Sequence, residues 1–184
     1  MVESADSLAY LRKEHEIIQM VSGMMKAVSV RLAAGDAVSP SDLDKMMTVL
    51  ENMDKCHRVE EDQVLFQLKV RSHNFDGPIR SLLAEHDSAR QIFKNLKTEL
   101  DKWKADKKST QLLIKYIQDY AASLGEHVRK EEEVFKSKDV GLLTEEDHRN
   151  IVDRFKKVEA NVLGTQTKGK MISTIIELQN RYSK

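Results

Sequence analysis

The sequence predicts an all-α fold: an up-down-up-down four-helix bundle with one or two additional C-terminal helices packed against it. Apolar residues recur at spacings of three and four in four long segments, and no segment shows the alternation of a strand. The 184 residues include only two prolines and seven glycines, which favours long uninterrupted helices. Four such helices joined by short connections are typical of an antiparallel bundle.

Each of the four segments is bounded by residues that start or stop helices. Gly35 follows the first segment, and glycine is the residue type that most often ends a helix. Ser41 is the predicted N-cap of the second segment, and Pro78 the predicted first residue of the third, after a turn over residues 73–77. The four predicted bundle helices cover about residues 6–34, 41–71, 78–103 and 109 or 110–136.

Two shorter amphipathic helices are predicted after the bundle. Thr144 is placed to cap the first, which extends to about Val162, and a polar linker over 164–169 leads to the second, which carries Met171 to Tyr182. Neither helix is long enough to enclose a core of its own. We therefore expect residues 1–140 to form the bundle and residues 141–184 to form a helical extension that packs on it.

Composition excludes several classes of function. Thirty basic residues balance thirty acidic ones, so the zero net charge argues against binding nucleic acid by bulk electrostatics. No run reaches the roughly 18 apolar residues of a membrane helix, and the first ten residues lack the basic and apolar regions of an export signal. A single cysteine cannot form an intramolecular disulfide. The expected location is cytoplasmic, with no nucleic-acid or membrane partner.

Histidines and glutamates interrupt the apolar stripes at matching places. One stripe position in each bundle segment is a histidine, and two of these histidines are followed four residues later by a glutamate. Since an α-helix turns by about 100° per residue, residues four apart lie on the same face. Each such pair can therefore present an imidazole and a carboxylate to one point inside the bundle. The six residues are His15, His57, Glu61, His86, His127 and Glu131.

The same arrangement occurs twice along the chain. His57 follows His15 by 42 residues, and His127 follows His86 by 41. The surrounding sequences also correspond: residues 14–16 read Glu-His-Glu against Glu-His-Asp at 85–87, and 57–64 matches 127–134 at its histidine, glutamate and valine. The bundle is thus predicted to be two helix pairs related by a pseudo-twofold axis, each offering two histidines and one glutamate.

This donor set indicates a metal centre. A buried carboxylate is costly unless it is neutralised or paired with a cation. Four imidazoles and two carboxylates suit two first-row metal ions, with the carboxylates and a solvent-derived oxo or hydroxo group as bridges and one open position for a diatomic molecule such as O₂ or NO. Nitrogen and oxygen donors without thiolate favour iron over structural zinc, with manganese or zinc as alternatives.

Other residues leave alternatives open. Glu60 could replace Glu61 as a ligand, and Tyr120 fits either a pocket wall or the packed core. Glu145 and His148 have the glutamate-first order of ferritin-like sites but lie on a terminal helix without a partner motif, so they are interpreted as a solvated surface pair. His73 lies in a polar turn and is expected to be exposed, and Cys56 is expected to be a buried, inert thiol.

Three motifs together resemble a known family. They are Cys-His-Arg-Val-Glu-Glu-Asp at 56–62 with Leu65-Phe66, Gly77-Pro78-Ile79 leading to Glu85-His86, and His127 to Glu131 with Val134-Phe135. Over roughly residues 6–136 the sequence resembles the hemerythrin-like family, or HHE cation-binding domains. The resemblance implies a four-helix bundle enclosing a non-heme di-iron centre, with His15, His57, Glu61, His86, His127 and Glu131 as ligands.

Two departures shape the expected function. Arg90 stands where oxygen-carrying hemerythrins have a fifth histidine, and Glu132 stands where they have an aspartate. The set of four histidines and two glutamates is more similar to members linked to iron or oxygen sensing and to di-iron repair of iron–sulfur clusters. We expect a protein that binds or senses O₂, NO, redox state or iron. The alternative is a di-iron redox enzyme acting on peroxide, NO or damaged iron–sulfur clusters.

Overall fold

The computed structural model describes residues 6–107, 110–164 and 167–182, and within those ranges it contains helices and no strand. The all-α prediction is confirmed. Short 3-10 turns over His73–Phe75 and Lys138–Leu142 accompany the long helices. The helices are α1 (Ser7–Ala34), α2 (Pro40–Arg71), α3 (Asp76–Asp106), α4 (Thr110–Phe135), α5 (Glu145–Val162) and α6 (Thr167–Tyr182).

The ends of α1 and α2 follow local capping chemistry. Asp6 caps α1 by accepting hydrogen bonds from the backbone nitrogens of Leu8 and Ala9, and Gly35 ends the helix with a positive φ of 79°. The N-cap of α2 is Ser39, and the prediction of Ser41 was wrong. Pro40 takes the first helical position, where a residue without an N–H loses no hydrogen bond.

The later helix ends differ from expectation at two places. Helix α3 begins at Asp76, two residues before Pro78, because the 3-10 turn leads directly into it and the first helical turn tolerates proline. Helix α6 begins at Thr167, which makes the linker shorter than predicted. The predicted cap of α5 is confirmed: Thr144 and Asp147 form a reciprocal capping box. Ser109 and part of the linker lie outside the described residues.

Helices α1 to α4 form a closed ring, in which α1 packs against α2 and α4, and α3 packs against α2 and α4. Two hydrophobic clusters fill the ring. The first cluster takes residues 18–32 of α1, 43–53 of α2, 96–103 of α3 and 113–128 of α4. The second takes residues 8–11, 64–68, 79–82 and 134–135 of the same helices. Helices of alternating direction would produce these layers, although the up-down order itself stays a prediction.

The C-terminal helices complete these clusters. Helix α6 packs on α1 and α2 and adds Ile175 and Leu178 to the first cluster, while α5 packs on the same helices and adds Ile151 and Phe155 to the second. Each extension thus shares a core with the bundle. The division of the chain at residue 140 stays a prediction.

Helix α1 is long and apolar enough to cross a membrane by length and composition alone. This result adds to the sequence analysis, which found no sufficiently long apolar run. In the structure, Val21, Val28 and Leu32 of α1 are buried in the first hydrophobic cluster. The apolar character of α1 is therefore what a core helix requires, and the expected lack of a membrane partner stays a prediction.

Candidate metal centre

A polar layer separates the two hydrophobic clusters, and all six predicted site residues lie in it. On α1, for example, His15 lies between Leu11 of the second cluster and Ile18 of the first. The carboxylates of Glu61 and Glu131 have no exposed surface. Three of the histidines are buried and His127 is nearly so, with 13% of its side chain exposed.

The six residues form two groups of three. Within each group the ligand atoms lie within 4.8 Å of one another, so each group could hold a metal ion. The grouping keeps the predicted pseudo-twofold relation, because the two helix pairs exchange their glutamates symmetrically. Glu131 of α4 joins the histidines of α1 and α2, while Glu61 of α2 joins the histidines of α3 and α4. The first group is His15, His57 and Glu131, and the second is Glu61, His86 and His127.

Distances show how closely the groups approach each other. Oε2 of Glu131 lies 3.3 Å from Nε2 of His15 in its own group and 3.4 Å from Nε2 of His127 in the other. Oε2 of Glu61 lies 2.9 Å from Nε2 of His86 and 3.5 Å from Nε2 of His127. A carboxylate that reaches both groups is suitably placed to bridge two cations.

A second set of carboxylates holds the other ring nitrogen of the histidines. These carboxylates come from neighbouring helices and face Nδ1. The pairs are His15 with Glu132 at 2.8 Å, His57 with Glu14 at 2.9 Å and His127 with Glu85 at 3.2 Å, while Asp62 lies 3.9 Å from Nδ1 of His86. Carboxylate partners of this kind orient metal-binding imidazoles and raise their basicity.

Basic side chains support two of these carboxylates from outside. Arg12 donates a hydrogen bond from Nε to Glu132 at 3.3 Å, and Lys130 donates to Glu85. The charge of Lys130, together with the hydrogen bond from His127, outweighs burial and lowers the pKa of Glu85. An anionic Glu85 is the form that accepts a hydrogen bond from the imidazole.

In its neutral form, an imidazole held at Nδ1 by a carboxylate directs the lone pair of Nε2 at the centre, whereas a protonated ring donates from Nε2 as well. A carboxylate at Nδ1 places the proton on that nitrogen, so Nε2 is the acceptor. Burial lowers the pKa of His15 and outweighs the opposing effect of Glu132, so this ring favours its neutral form. Nε2 of His86 and Nε2 of His127 are 3.0 Å apart. Two lone pairs at that distance repel each other unless a proton or a cation lies between them.

Several buried atoms of the centre lack a hydrogen-bond partner among the described residues. They are Nε2 of His15 and of His57, Oε1 of Glu61 and both carboxylate oxygens of Glu131. Leaving a buried polar atom unsatisfied costs about 1–3 kcal/mol, and more for a charged group. Coordination of cations would satisfy all of these atoms at once, so the donor set fits a pair of metal ions.

The two central carboxylates have opposite pKa shifts. Burial and the neighbouring charge of Glu61 raise the pKa of Glu131 well above its usual value. Burial also acts to raise the pKa of Glu61, but hydrogen bonds with His127 and His86 outweigh it and the net shift is downward. Burial lowers the pKa of His127, yet its interactions with Glu61 and Glu131 raise it to about 9. Without a cation, the layer therefore retains protons rather than two full carboxylate charges.

The structure also places the residues for which alternatives were open. Glu60 is fully buried but is grouped with Glu14 and Glu159 instead of with the histidines, which favours Glu61 as the inward carboxylate. His73 is exposed and Cys56 is buried, as predicted. The interpretation of His148 as a solvated residue was wrong, because its Nδ1 lies 2.9 Å from the hydroxyl of Ser7 and only 19% of its side chain is exposed.

A small cavity of about 50 Å³ adjoins the polar layer. The cavity wall includes the site residues His57, Glu61, His86 and His127 on one side. Most of the remaining wall is apolar, from Ile18, Leu50, Met53, Ala89, Leu124 and Val128, with Tyr120, Ser123, Asp54 and Arg58 as polar members. A water molecule needs about 10–15 Å³ of such space, so the cavity has room for a molecule of two or three heavy atoms.

Comparison with known proteins bears on this site. The family model of the hemerythrin HHE cation-binding domain matches residues 6–138. Neither a curated protein nor a solved structure matches the chain at a significant level. The matched residues contain the six candidate ligands, all four Nδ1 carboxylates and the cavity wall.

Proposed function

Because the chain belongs to the hemerythrin HHE cation-binding family, we propose that it is a non-heme di-iron protein that binds or senses a small diatomic molecule, O₂ or NO. The observation that carries this proposal is the pair of three-residue groups, each with two imidazoles and one carboxylate within 4.8 Å. Two such groups side by side supply ligands for two ions.

The choice of iron rests on the donors. Nitrogen and oxygen ligands without thiolate suit iron, whereas structural zinc sites are usually closed tetrahedra that often include cysteine. Cys56 is the only cysteine, and it is in neither group. When bound, iron supplies redox activity and an open coordination position, while the protein holds the imidazoles in the orientation set by their Nδ1 partners.

The choice of a small ligand rests on the cavity. Its volume of about 50 Å³ admits a diatomic molecule beside His86 and His127 but not a metabolite. Its mainly apolar wall suits a neutral molecule such as O₂ or NO, because no charge of the ligand has to be compensated. Binding and sensing need no further group, so they are proposed ahead of catalysis.

Metal content tests the proposal directly. We would purify the untagged protein without chelators and measure iron, manganese and zinc per chain by elemental mass spectrometry. The proposal expects about two irons per chain, as the two groups require, and a change in the absorption spectrum when NO is added to the reduced protein. No metal, and no uptake on anaerobic addition of ferrous iron, would refute it.

A pair of histidine variants locates the metal. His57→Ala removes one imidazole of the first group, so iron per chain should fall by at least half. His148→Ala is the matched control, since His148 is also largely buried but bonds Ser7 outside both groups. We expect its metal content to equal that of the wild type. Equal loss in both variants would mean that the groups are not the binding site.

A further inference from the structure

Arg58 is an unusual member of the cavity wall, because it is a buried cation in a mainly apolar lining. The whole residue is 7% exposed, and 9% of its side chain is exposed. It directly follows His57 on α2 and lines the same cavity as His86 and His127. Arginine is almost never buried unless an anion is paired with it.

The guanidinium of Arg58 is only partly paired. Its Nη2 donates a hydrogen bond to Asp54, one turn earlier on the same helix, and this contact fixes the orientation of the side chain. Nε and Nη1 are buried and have no hydrogen-bond partner among the residues that the structure describes. Two donor nitrogens of a permanently charged group, both buried, therefore lie beside the cavity without an acceptor among the described residues.

Asp54 and Tyr120 lie at the boundary between the cavity and the protein surface. Both residues line the inner cavity and also a larger surface groove of about 440 Å³. Four basic and three acidic side chains line that groove, including Lys55, Arg90 and Lys94. The groove with its mixed charges thus adjoins the cavity at Asp54 and Tyr120.

We propose that Arg58 forms an anion subsite in this cavity, which holds a small oxyanion of the size of nitrite between the guanidinium and the metal centre. The inference rests on the proposed function and deepens it by naming a class of ligand other than neutral diatomics. A cavity of about 50 Å³ accepts three heavy atoms, and the unpartnered N–H groups supply the charge-assisted hydrogen bonds that an oxyanion requires.

The test is nitrite binding to the oxidised, iron-loaded protein, measured by isothermal titration calorimetry for the wild type and for Arg58→Gln. Iron per chain is determined first for both proteins. A hydrogen bond to a charged group corresponds to an affinity change of about 10- to 100-fold, which is the loss expected in Arg58→Gln. Arg80→Gln, at an exposed position of α3 outside the cavity and the groove, is the matched control and should leave the dissociation constant for nitrite unchanged.

A neutral probe separates charge from damage to the fold. NO binding to the reduced protein should be the same in Arg58→Gln as in the wild type, because a neutral molecule needs no guanidinium. Arg58→Lys, which keeps the charge but lacks Nε, should bind nitrite with intermediate affinity and serves as the test if Arg58→Gln does not fold.

The outcomes are distinguishable. If wild-type protein takes up no metal, the proposed function fails and the anion subsite fails with it. If metal content is normal but Arg58→Gln binds nitrite as tightly as the wild type, only the anion subsite is refuted. Equal losses of nitrite and NO affinity would also refute it, since they would assign Arg58 a structural role.

Discussion

Oε2 of Glu14 on α1 accepts a hydrogen bond from Nδ1 of His57 on α2 at 2.9 Å, and both side chains are 9% exposed. The same relationship recurs in the other helix pair, where Glu85 on α3 faces Nδ1 of His127 on α4 at 3.2 Å. Each glutamate directly precedes a histidine of the centre. The pseudo-twofold repeat therefore includes the groups that orient the imidazoles as well as the imidazoles themselves.

Glu14→Gln should weaken metal binding without emptying the site. The substitution keeps the size of the side chain but removes the charge that makes His57 basic, and loss of such a partner typically costs about 10- to 100-fold in metal affinity. Competition with a chromophoric ferrous chelator measures this change. Glu16→Gln, two residues further along α1 and exposed, is the matched control and should bind iron like the wild type. Equal affinities in Glu14→Gln and Glu16→Gln would show that the Nδ1 contact is dispensable.

Ala89→Leu should block the cavity while leaving the metal ligands in place. Ala89 of α3 lines the cavity, and a leucine there adds three carbons to a space of about 50 Å³. We expect unchanged iron per chain and a fall of about tenfold or more in NO affinity of the reduced protein, since overfilling such a space costs on the order of 1–3 kcal/mol. Ala84→Leu on the exposed face of α3 is the control. NO affinity unaffected by Ala89→Leu would place the ligand elsewhere.

The capping box of α5 predicts a dependence of stability on pH. Hydrogen bonds from Thr144 and the guanidinium of Arg71 lower the pKa of Asp147 to about 2, against about 3.9 in an unfolded chain. A group whose pKa is lowered in the folded state stabilises the protein at pH values above its pKa in the unfolded chain. This contribution is lost as the pH falls from about 4 to 2. Asp147→Asn should therefore lower the free energy of unfolding by about 1 kcal/mol at neutral pH, and the difference from wild type should shrink below pH 4.

Urea unfolding at a series of pH values measures this difference. Asp153→Asn, with 70% of its aspartate side chain exposed on the same helix, is the control and should behave like the wild type. A difference between wild type and Asp147→Asn that stays constant from pH 6 to pH 2 would contradict the assigned pKa.

The sequence predicted the inward residues because their pattern is visible without a structure. Histidines and glutamates at apolar positions of a helix stripe must face the core. The repetition of this pattern in both helix pairs argues against coincidence. The exchange of Glu61 and Glu131 between the groups was not predictable, because helix periodicity fixes the face of a side chain but not which facing helix it contacts. The sequence did contain a signal for Glu14, the anionic partner of His57. Glu14 directly precedes His15 just as Glu85, the partner of His127, directly precedes His86.

Other features depended on contacts that no local pattern encodes. His148 is held by Ser7, a residue 141 positions away, so its burial could not be anticipated from the polar sequence around it. The position of Arg58 at the cavity was equally unpredictable. A charged residue on a helix normally faces water, and only the tertiary structure shows the cavity beside it. The start of α2 at Pro40 instead of after Ser41 was a choice between Ser39 and Ser41, two serines on either side of Pro40 with equal capping chemistry.

The contacts of α6 predict that the C-terminal extension unfolds together with the bundle. Leu178 of α6 is fully buried in the same hydrophobic cluster as Trp103 of α3, the only tryptophan of the chain. Truncating a buried leucine to alanine costs about 2–5 kcal/mol. Leu178→Ala should lower the free energy of unfolding by that amount in a single urea transition followed by Trp103 fluorescence.

Ile176→Ala, at a neighbouring position that is 49% exposed, is the control and should shift the midpoint little. If α6 were an independent appendage, Trp103 would report the same midpoint in Leu178→Ala as in the wild type, and residues 141–184 would have to be regarded as separate from the bundle.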